Sequence, residues 1–492
     1  MEAITSGPPA SAARAAGSDG SPRPFLIAGE PTTGSESLDV VFPYDGSVVA
    51  SVWLADEDAC QRALAVATEA REPVAALAPF ERAEVLLGAA ALVGEQAEQL
   101  ARQMTLETGN AIWETRLEVR RTTEILRTAA EEARRITGEI VPIDAWPNGR
   151  GRHAYTRRFP VGPVLAITPY NAPLLLVAHK VASALAAGNP CIVRPASKTP
   201  LSALSLGTIV VEAGAPRGAL SVLPSRTAVA EKLVQDERVK MLSFTGSAEV
   251  GWRLRLLART PRVALELGGN GAVIVHSDAD LDYAADRCAF GGFLRAGQAC
   301  ISVQRLYVHR PVAEPFTELY LNRISKLTTG DPLDDDTLVG CLVDDGAAAK
   351  SVELVEEART AGASVLCGGG RDGRVVEPTL LTGVRRDLRA CATEAFAPIV
   401  VIEPYDDVDE AIRLAGDTPY GLQAGLFTND IRIISRAFER LEVGALIVND
   451  ANTFRVDHMP YGGEKQSGFG REGVRYAIRE MTEERLLVID PR

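Results

Sequence analysis

Val164-Leu165-Ala166-Ile167-Thr168-Pro169, and the run from Pro173 to Gly188-Asn189-Pro190-Cys191-Ile192-Val193, decide the fold. Four apolar residues closed by a proline predict a short buried strand. The apolar stretch Pro173 to Ala187 opens on proline and stops at Gly188-Asn189-Pro190, the punctuation of a helix. Cys191-Ile192-Val193 is the next strand. Thr199-Pro200 predicts an N-cap and a first-turn proline for a helix running through Glu212. Leu220-Ser221-Val222-Leu223 and Val239-Lys240-Met241-Leu242-Ser243-Phe244 read as further strands. Strands alternating with helices imply a parallel sheet with crossover helices, so the fold class is α/β.

Upstream, residues 75–136 carry helical periodicity, with Leu86, Leu87, Ala90, Leu92 and Val93, then Leu117, Ile125 and Leu126, on apolar faces. Downstream, Val273-Ile274-Val275, Arg305-Leu306-Tyr307-Val308 and Ile399-Val400-Val401-Ile402 predict strands of a second β/α region. Arg485-Leu486-Leu487-Val488-Ile489 is a late strand with no evident partner nearby. Residues 1–23, rich in Ala, Ser, Gly and Pro, read as disordered and contain no apolar core of signal-peptide length.

At 492 residues the chain exceeds one small core, and two or three domains are expected. A net charge of −13 argues against a nucleic-acid or anionic-membrane partner. No apolar run is long enough to span a membrane. The seven cysteines are scattered without a C-x-x-C pair, and the five histidines have no ligand-like spacing. Neither a disulfide framework nor a metal site is indicated, and reduced thiols fit a cytoplasmic protein.

Two residues carry the chemistry. Cys300 follows Gly297-Gln298-Ala299, whose small neighbours leave room for a substrate. Glu266 precedes Leu267-Gly268-Gly269-Asn270 on a glycine-rich turn. A thiol nucleophile with a carboxylate base is the reading of the pair. Taken singly, each has a plainer one: a small buried hydrophobe and a turn residue.

Gly297-Gln298-Ala299-Cys300 and Glu266-Leu267-Gly268-Gly269-Asn270 resemble the two active-site signatures of the NAD(P)-dependent aldehyde dehydrogenase superfamily. So do Pro169-Tyr170-Asn171, Phe244-Thr245-Gly246-Ser247, Glu394-Ala395-Phe396-Ala397-Pro398 and Pro460-Tyr461-Gly462-Gly463, in the family order across roughly residues 25–490. The resemblance implies a Rossmann-like cofactor domain (24–131 and 156–265), a second α/β catalytic domain (266–465) and a small β oligomerisation extension (132–155 and 466–492). It implies Cys300 as nucleophile, Glu266 as the base that activates water, and Asn171 with the Cys300 N–H as the oxyanion site. The product is then a carboxylic acid, formed through a thiohemiacetal and a thioester. The alternatives are a CoA-acylating enzyme, which the intact Glu266 disfavours, and a non-catalytic protein reusing the fold, which three filled catalytic positions disfavour.

For the cofactor, NAD or NADP, the resemblance points to Ile167, Thr168, Pro169, Tyr170, Arg194, Ser197, Lys198, Phe244, Gly246, Ser247, Leu267, Glu394 and Phe396. Gly246 permits close backbone approach, and the helix that follows suits a pyrophosphate, although the segment is not a G-x-G-x-x-G fingerprint. Glu394 matches the glutamate that binds the nicotinamide-side ribose, and Phe396 the aromatic beside the nicotinamide. Arg194 stands where lysine is usual. Ser197 stands where NAD-preferring members often carry glutamate, which points toward acceptance of NADP. Ala397 replaces a usual glycine.

The substrate segments resemble the branch that handles lactaldehyde, succinate semialdehyde and phosphonate- or sulfonate-bearing aldehydes. Arg121 and Arg455 fall where some members hold an anionic group, while Ala172 and Ala299 lack features of phosphate-handling relatives. A structural ion pair is the competing reading for each arginine. The expected assembly is a homodimer or homotetramer, paired through the apolar tail and a segment near 132–155.

Overall fold

The structure is a computed structural model and describes residues 21–491. The reading of residues 1–23 as disordered lies outside the described residues, except for its last three positions. There Arg23 is fixed: its N–H donates to Ser51 O (2.8 Å) and its carbonyl accepts from Trp53 N (2.9 Å).

Two open sheets form the body. The first runs in the order Glu30–Thr32, Phe25–Ile27, Leu220–Val222, Cys191–Arg194, Val164–Ile167, Met241–Thr245, Val263–Glu266, Gly468–Phe469. The strands from Leu220–Val222 to Val263–Glu266 are mutually parallel, and antiparallel edges close both sides. Val263–Glu266 has no counterpart in the sequence reading, which treated Glu266 as a turn residue. It is instead the last residue of a fully buried strand.

The helices Pro173–Ala187 and Pro200–Glu212 have the expected boundaries, but their caps differ from expectation. The Thr199 hydroxyl makes no cap. The carboxylate of Glu107, on Ala97–Thr108, accepts from Leu201 N (2.9 Å) and Ser202 N (3.0 Å) instead. Glu118, on Ile112–Ala133, does the same for Leu174 N (3.0 Å) and Leu175 N (3.1 Å). Buried carboxylates from distant helices thus satisfy the first-turn N–H groups and complement the helix dipoles.

The second sheet has the order Ser364–Cys367, Thr379–Thr382, Ile399–Tyr405, Val303–His309, Gly271–Val275, Gln423–Phe427, Ala445–Val448. It is parallel apart from its first pair. Side chains alternate between its faces as the pleat requires. Val273 and Val275 pack with Phe293, Phe316 and Tyr320, whereas Ala272 and Ile274 pack with Tyr307, Tyr405 and Ile412.

The apolar tail does have a partner. Thr482–Ile489 pairs antiparallel with His153–Pro160 over eight residues, and Ile140–Val141 adds a third strand. Residues 466–492 do not act as one extension, however: Gly468–Phe469 edges the first sheet, and Val474–Glu480 packs on Pro173–Ala187. Among the described residues, no helix is long and apolar enough to cross a membrane.

Candidate active site

Loops at the ends of the two sheets meet at the predicted residues: Asn171 contacts Gln298, and Tyr170 contacts Phe396. Val164–Ile167 ends at Thr168, and the loop beyond it carries Asn171 to the start of the Pro173–Ala187 helix. Asn171 is buried; its Nδ2 donates to Gln298 O at 2.8 Å, and its carbonyl accepts from Asn110 Nδ2 at 3.1 Å. An amide nitrogen has two N–H groups, so a second donor remains for a substrate oxygen.

Cys300 lies just before Val303–His309 and is only partly buried, as is Cys367, while the other five cysteines are buried. Its Sγ is 3.0 Å from the Tyr461 hydroxyl. Burial pushes the Cys300 thiol up to about 11, against the lowering effect of that hydroxyl. The loop before it is unusual: Arg295 and Ala296 have φ of 53° and 52°, followed by Gly297 at 73°. A Cβ on Gly297 would lie 2.0 Å from Ala397 O, so glycine is required there.

Glu266 is 3% exposed, and neither carboxylate oxygen has a hydrogen-bond partner among the described residues. Desolvation, then the charge of Glu472, holds its pKa well above the usual carboxylate range. Glu472 is equally buried but behaves oppositely. Lys180 Nζ donates to it at 2.9 Å and Arg455 lies 3.4 Å away, so its pKa is lowered to about 2 despite the opposing effect of desolvation. Tyr461 and Gly462 join the two candidate reactive groups. The Tyr461 hydroxyl meets Cys300, and a Cβ on Gly462 would sit 3.0 Å from Glu266 Oε1.

Sequence reasoning assigned no role to Tyr461, Lys180 or Glu472. Tyr461 had a signal, since it stands in the quoted Pro460-Tyr461-Gly462-Gly463 block. Lys180 had none beyond being a charge within an apolar helix, and Glu472 had none, standing between Arg471 and Gly473.

Arg121 and Arg455 converge on one carboxylate. Arg121 contacts Asp457 through two nitrogens, at 3.0 and 2.7 Å. Arg455 Nε lies 3.7 Å from the same residue, and its guanidinium stacks 3.6 Å from the centre of the Tyr461 ring. Both arginines are therefore ion-paired, and Arg455 also stands over the tyrosine that touches the thiol.

The cofactor candidates sort into three kinds. Ile167, Phe244 and Leu267 have core side chains, so any part they take in binding falls to their backbone. Gly246 and Ser247 open the Ala248–Leu257 helix, and Gly246 N donates to Glu266 O (3.0 Å). Arg194, at the end of Cys191–Arg194, donates to Ser225 O (3.0 Å) and Ser197 Oγ (3.3 Å). Lys198 pairs with Asp344 and lies 6.0 Å from the Tyr170 ring, which leads on through Pro169 to Thr168.

On the side of the second sheet, Glu394 accepts from Gly269 N (2.9 Å), and a Cβ on Gly268 would collide with its carboxylate. Phe396, with φ 52°, meets Tyr170 edge-on at 6.0 Å and is not a core residue. The fit to a dinucleotide is carried by orphaned polar atoms. Thr168 Oγ1, Arg194 Nε and Ser225 Oγ are buried without hydrogen-bond partners among the described residues, around the carboxyl ends of neighbouring parallel strands, the place where such sheets take ligands.

A profile described as the aldehyde dehydrogenase family matches residues 30–487. The chain belongs to the aldehyde dehydrogenase family. It is an oxidoreductase that uses a nicotinamide cofactor, NAD or NADP. It is 45% identical over 467 residues to 3-sulfolactaldehyde dehydrogenase of Priestia aryabhattai, covering 95% of this chain and 98% of that one. Aldehyde dehydrogenase 21 from Physcomitrella patens, solved in complex with the reaction product succinate, superposes with a TM-score of 0.93 at 40% identity. That match covers 95% of this chain and 98% of the other. The glyceraldehyde-3-phosphate dehydrogenase GapN from Methanocaldococcus jannaschii, solved with NADP, gives 0.89 at 37% identity, covering 92% and 99%.

Proposed function

We propose that this enzyme oxidises a small aldehyde bearing a sulfonate or carboxylate to the corresponding acid, through a thioester on Cys300. The observation that carries the reading is the Arg455–Tyr461–Cys300 stack: a buried guanidinium lies on the ring whose hydroxyl touches the reactive sulfur. Relatives named for sulfolactaldehyde and a neighbour holding succinate support an anionic substrate.

The Cys300 thiol passes its proton to solvent water, and the sulfur attacks the aldehyde carbon. The free Asn171 N–H and the Cys300 backbone N–H receive the oxyanion. A nicotinamide cofactor, when bound, would supply the hydride acceptor; Glu394 would hold its ribose and the Gly246 turn its pyrophosphate. With the hydride passed to that acceptor, the Cys300 adduct becomes a thioester. Glu266, with both oxygens free of hydrogen-bond partners among the described residues, takes a proton from water. The resulting hydroxide attacks the acyl carbon, the C–S bond breaks, and the acid leaves. Arg121 and Arg455 share their charge between Asp457 and the anionic end of the substrate.

A panel of aldehydes, each tried with NAD and NADP and followed by absorbance of the reduced cofactor, tests this. Sulfolactaldehyde or succinate semialdehyde should exceed neutral lactaldehyde in kcat/KM by at least about tenfold, the worth of one charge contact of about 1.4 kcal/mol. Equal efficiency with the neutral aldehyde would remove the anionic substrate from the reading.

Assembly belongs to the same proposal. The outer edge of Thr482–Ile489 is an edge strand, and Leu486, Leu487, Val488 and Ile489 are each 42–55% exposed. Such an edge invites pairing, and a closed dimer or tetramer covers it. Light scattering should give a dimer or tetramer for the full chain and smaller or aggregated species without residues 485–492. A full-length monomer at micromolar concentration refutes this.

A further inference from the structure

We propose that Glu118 is a positioning residue for the oxyanion site, one buried carboxylate that fastens the helix beginning beside Asn171 to the loop ending in Cys300. The inference rests on the reading of Cys300 as nucleophile and Asn171 as oxyanion donor.

Glu118 is 1% exposed. Its Oε1 accepts from Leu174 N (3.0 Å) and Leu175 N (3.1 Å), three and four residues after Asn171. A local cap is impossible there, because the N-cap residue is Ala172, which has no side-chain oxygen. Its Oε2 accepts from an Arg295 guanidinium nitrogen at 3.0 Å. Arg295 and Ala296 both have left-handed backbones, at about 1–3 kcal/mol for a residue held in such a region. Their conformation persists because the protein holds it. Glu114, one turn before Glu118 on the same helix face, accepts from Arg295 N at 2.5 Å, and Glu118 holds the other end of the residue.

The two donors of the oxyanion site come from segments more than a hundred residues apart in sequence. Glu118 contacts both supports, and the Asn171 Nδ2 bond to Gln298 O shows how closely those segments must register. A carboxylate is required for this, and glutamine is not an equivalent. Glu118 accepts hydrogen bonds on both oxygens, from backbone N–H on one side and a cation on the other. A glutamine at 118 must turn its NH₂ toward one of them and replace an acceptor with a donor. Whichever way it turns, one support of the site is released.

The test compares wild type, Glu118→Gln, Arg295→Gln, Arg295→Lys and the double variant Glu118→Gln/Arg295→Gln. Arg295→Gln leaves the Glu118 bonds to the helix intact, so it keeps the proposal falsifiable should Glu118→Gln fail to fold. The rate of cofactor reduction in a single turnover should fall roughly 10- to 100-fold in either single variant, the scale of a misplacement of about 1 Å. KM for the cofactor should stay within about twofold on the same grounds, because binding uses other residues. The double variant should be little worse than the single ones, since both break one link. Arg295→Lys should recover part of the loss.

Alkylation of Cys300 by iodoacetamide, which forms no oxyanion, should keep the wild-type rate. A matching loss of alkylation would mean a disordered loop and would overturn the positioning role. So would a full-rate single turnover in folded Arg295→Gln. Persistent turnover in Cys300→Ala would instead bring down the underlying reading, which separates the two failures.

Discussion

The two sheets offer opposite ends of their strands to the candidate site. The first presents carboxyl ends: Val164–Ile167 runs into Thr168, Cys191–Arg194 into the segment holding Ser197, and Met241–Thr245 into Gly246. The second presents amino ends. Asn270 precedes Gly271–Val275, Cys300 precedes Val303–His309, and Glu394 to Ala397 precede Ile399–Tyr405. Carboxyl ends of parallel strands lead into helix N-termini. Glu118 and Glu107 occupy those of Pro173–Ala187 and Pro200–Glu212, while Ala248–Leu257, behind Gly246, has no side-chain cap and its aligned N–H groups suit an anionic ligand. Amino ends inherit no such field, so their loops are fixed by buried side chains. Asn270 Nδ2 donates to Cys391 O (2.8 Å) and Thr393 O (3.1 Å). Gln304 binds Ala390 O and Ala395 N, at 3.1 Å each. Gln298, Glu114 and Glu118 tie the cysteine loop in the same way. The backbone prepares a binding surface on one side, and side chains hold a reactive geometry on the other.

The largest effect that could break this division is at Cys300. Cys300→Ala should lower turnover by more than about 10⁴-fold, since no thioester forms without the thiol. Cofactor affinity, measured by fluorescence titration of the same variant, should stay near wild type. Normal turnover in the folded variant sinks the mechanism, and lost cofactor binding sinks the division of labour.

Glu266 is where the division blurs, because it ends Val263–Glu266 of the first sheet yet is the base in the proposed chemistry. Glu266→Gln should slow steady-state turnover about 10²- to 10³-fold, within the range of a lost general base. Rapid-quench experiments should show about one cofactor reduced per site at near wild-type rate before the slow phase. Equal loss in both phases would give Glu266 a different role.

Much of the first sheet was readable from proline and glycine punctuation around Pro173–Ala187 and Pro200–Glu212. What escaped depended on distant partners. Thr199 fits the local N-cap rule, but Glu107, some ninety residues earlier, is the cap. The tail strand pairs with residues more than 320 positions away. Cys300, Glu266 and Asn171 stood out through motifs, whereas Glu472 and Lys180 acquire meaning only when the fold buries them together. Arg121 and Arg455 were legible as charges, but their shared partner Asp457 was not.

The contrast between Glu266 and Glu472 gives a pH prediction. A base must be unprotonated, so activity should rise as pH rises through the elevated pKa of Glu266. The negative charge of Glu472 contributes to that elevation, while Arg455 and Lys180 oppose it. Glu472→Gln removes the raising charge and frees both cations, so both consequences act in the same direction. The acid limb of the deacylation rate should move to lower pH. A limb unmoved, or moved to higher pH, would mean that Glu266 does not govern it.

The smallest effect tests the first sheet alone. Ser197 is exposed beyond the end of Cys191–Arg194, with the Arg194 guanidinium 3.3 Å away and Lys198 adjacent in sequence. Lys198 is already paired with Asp344, and Arg194 also donates to Ser225 O, so the positive field at Ser197 is partly spent. A phosphate on the adenosine ribose would meet that remaining field, and Ser197→Glu would set a like charge against it. The change should raise KM for NADP roughly two- to fivefold, the scale of one exposed charge contact, and leave NAD unaffected. Single-turnover hydride transfer at saturating cofactor should not change, because the cysteine loop hangs on the other sheet. Outright rejection of NADP by the wild-type enzyme would overturn the reading of this segment. A loss of hydride-transfer rate in Ser197→Glu would show that the two strand-end surfaces are coupled rather than divided.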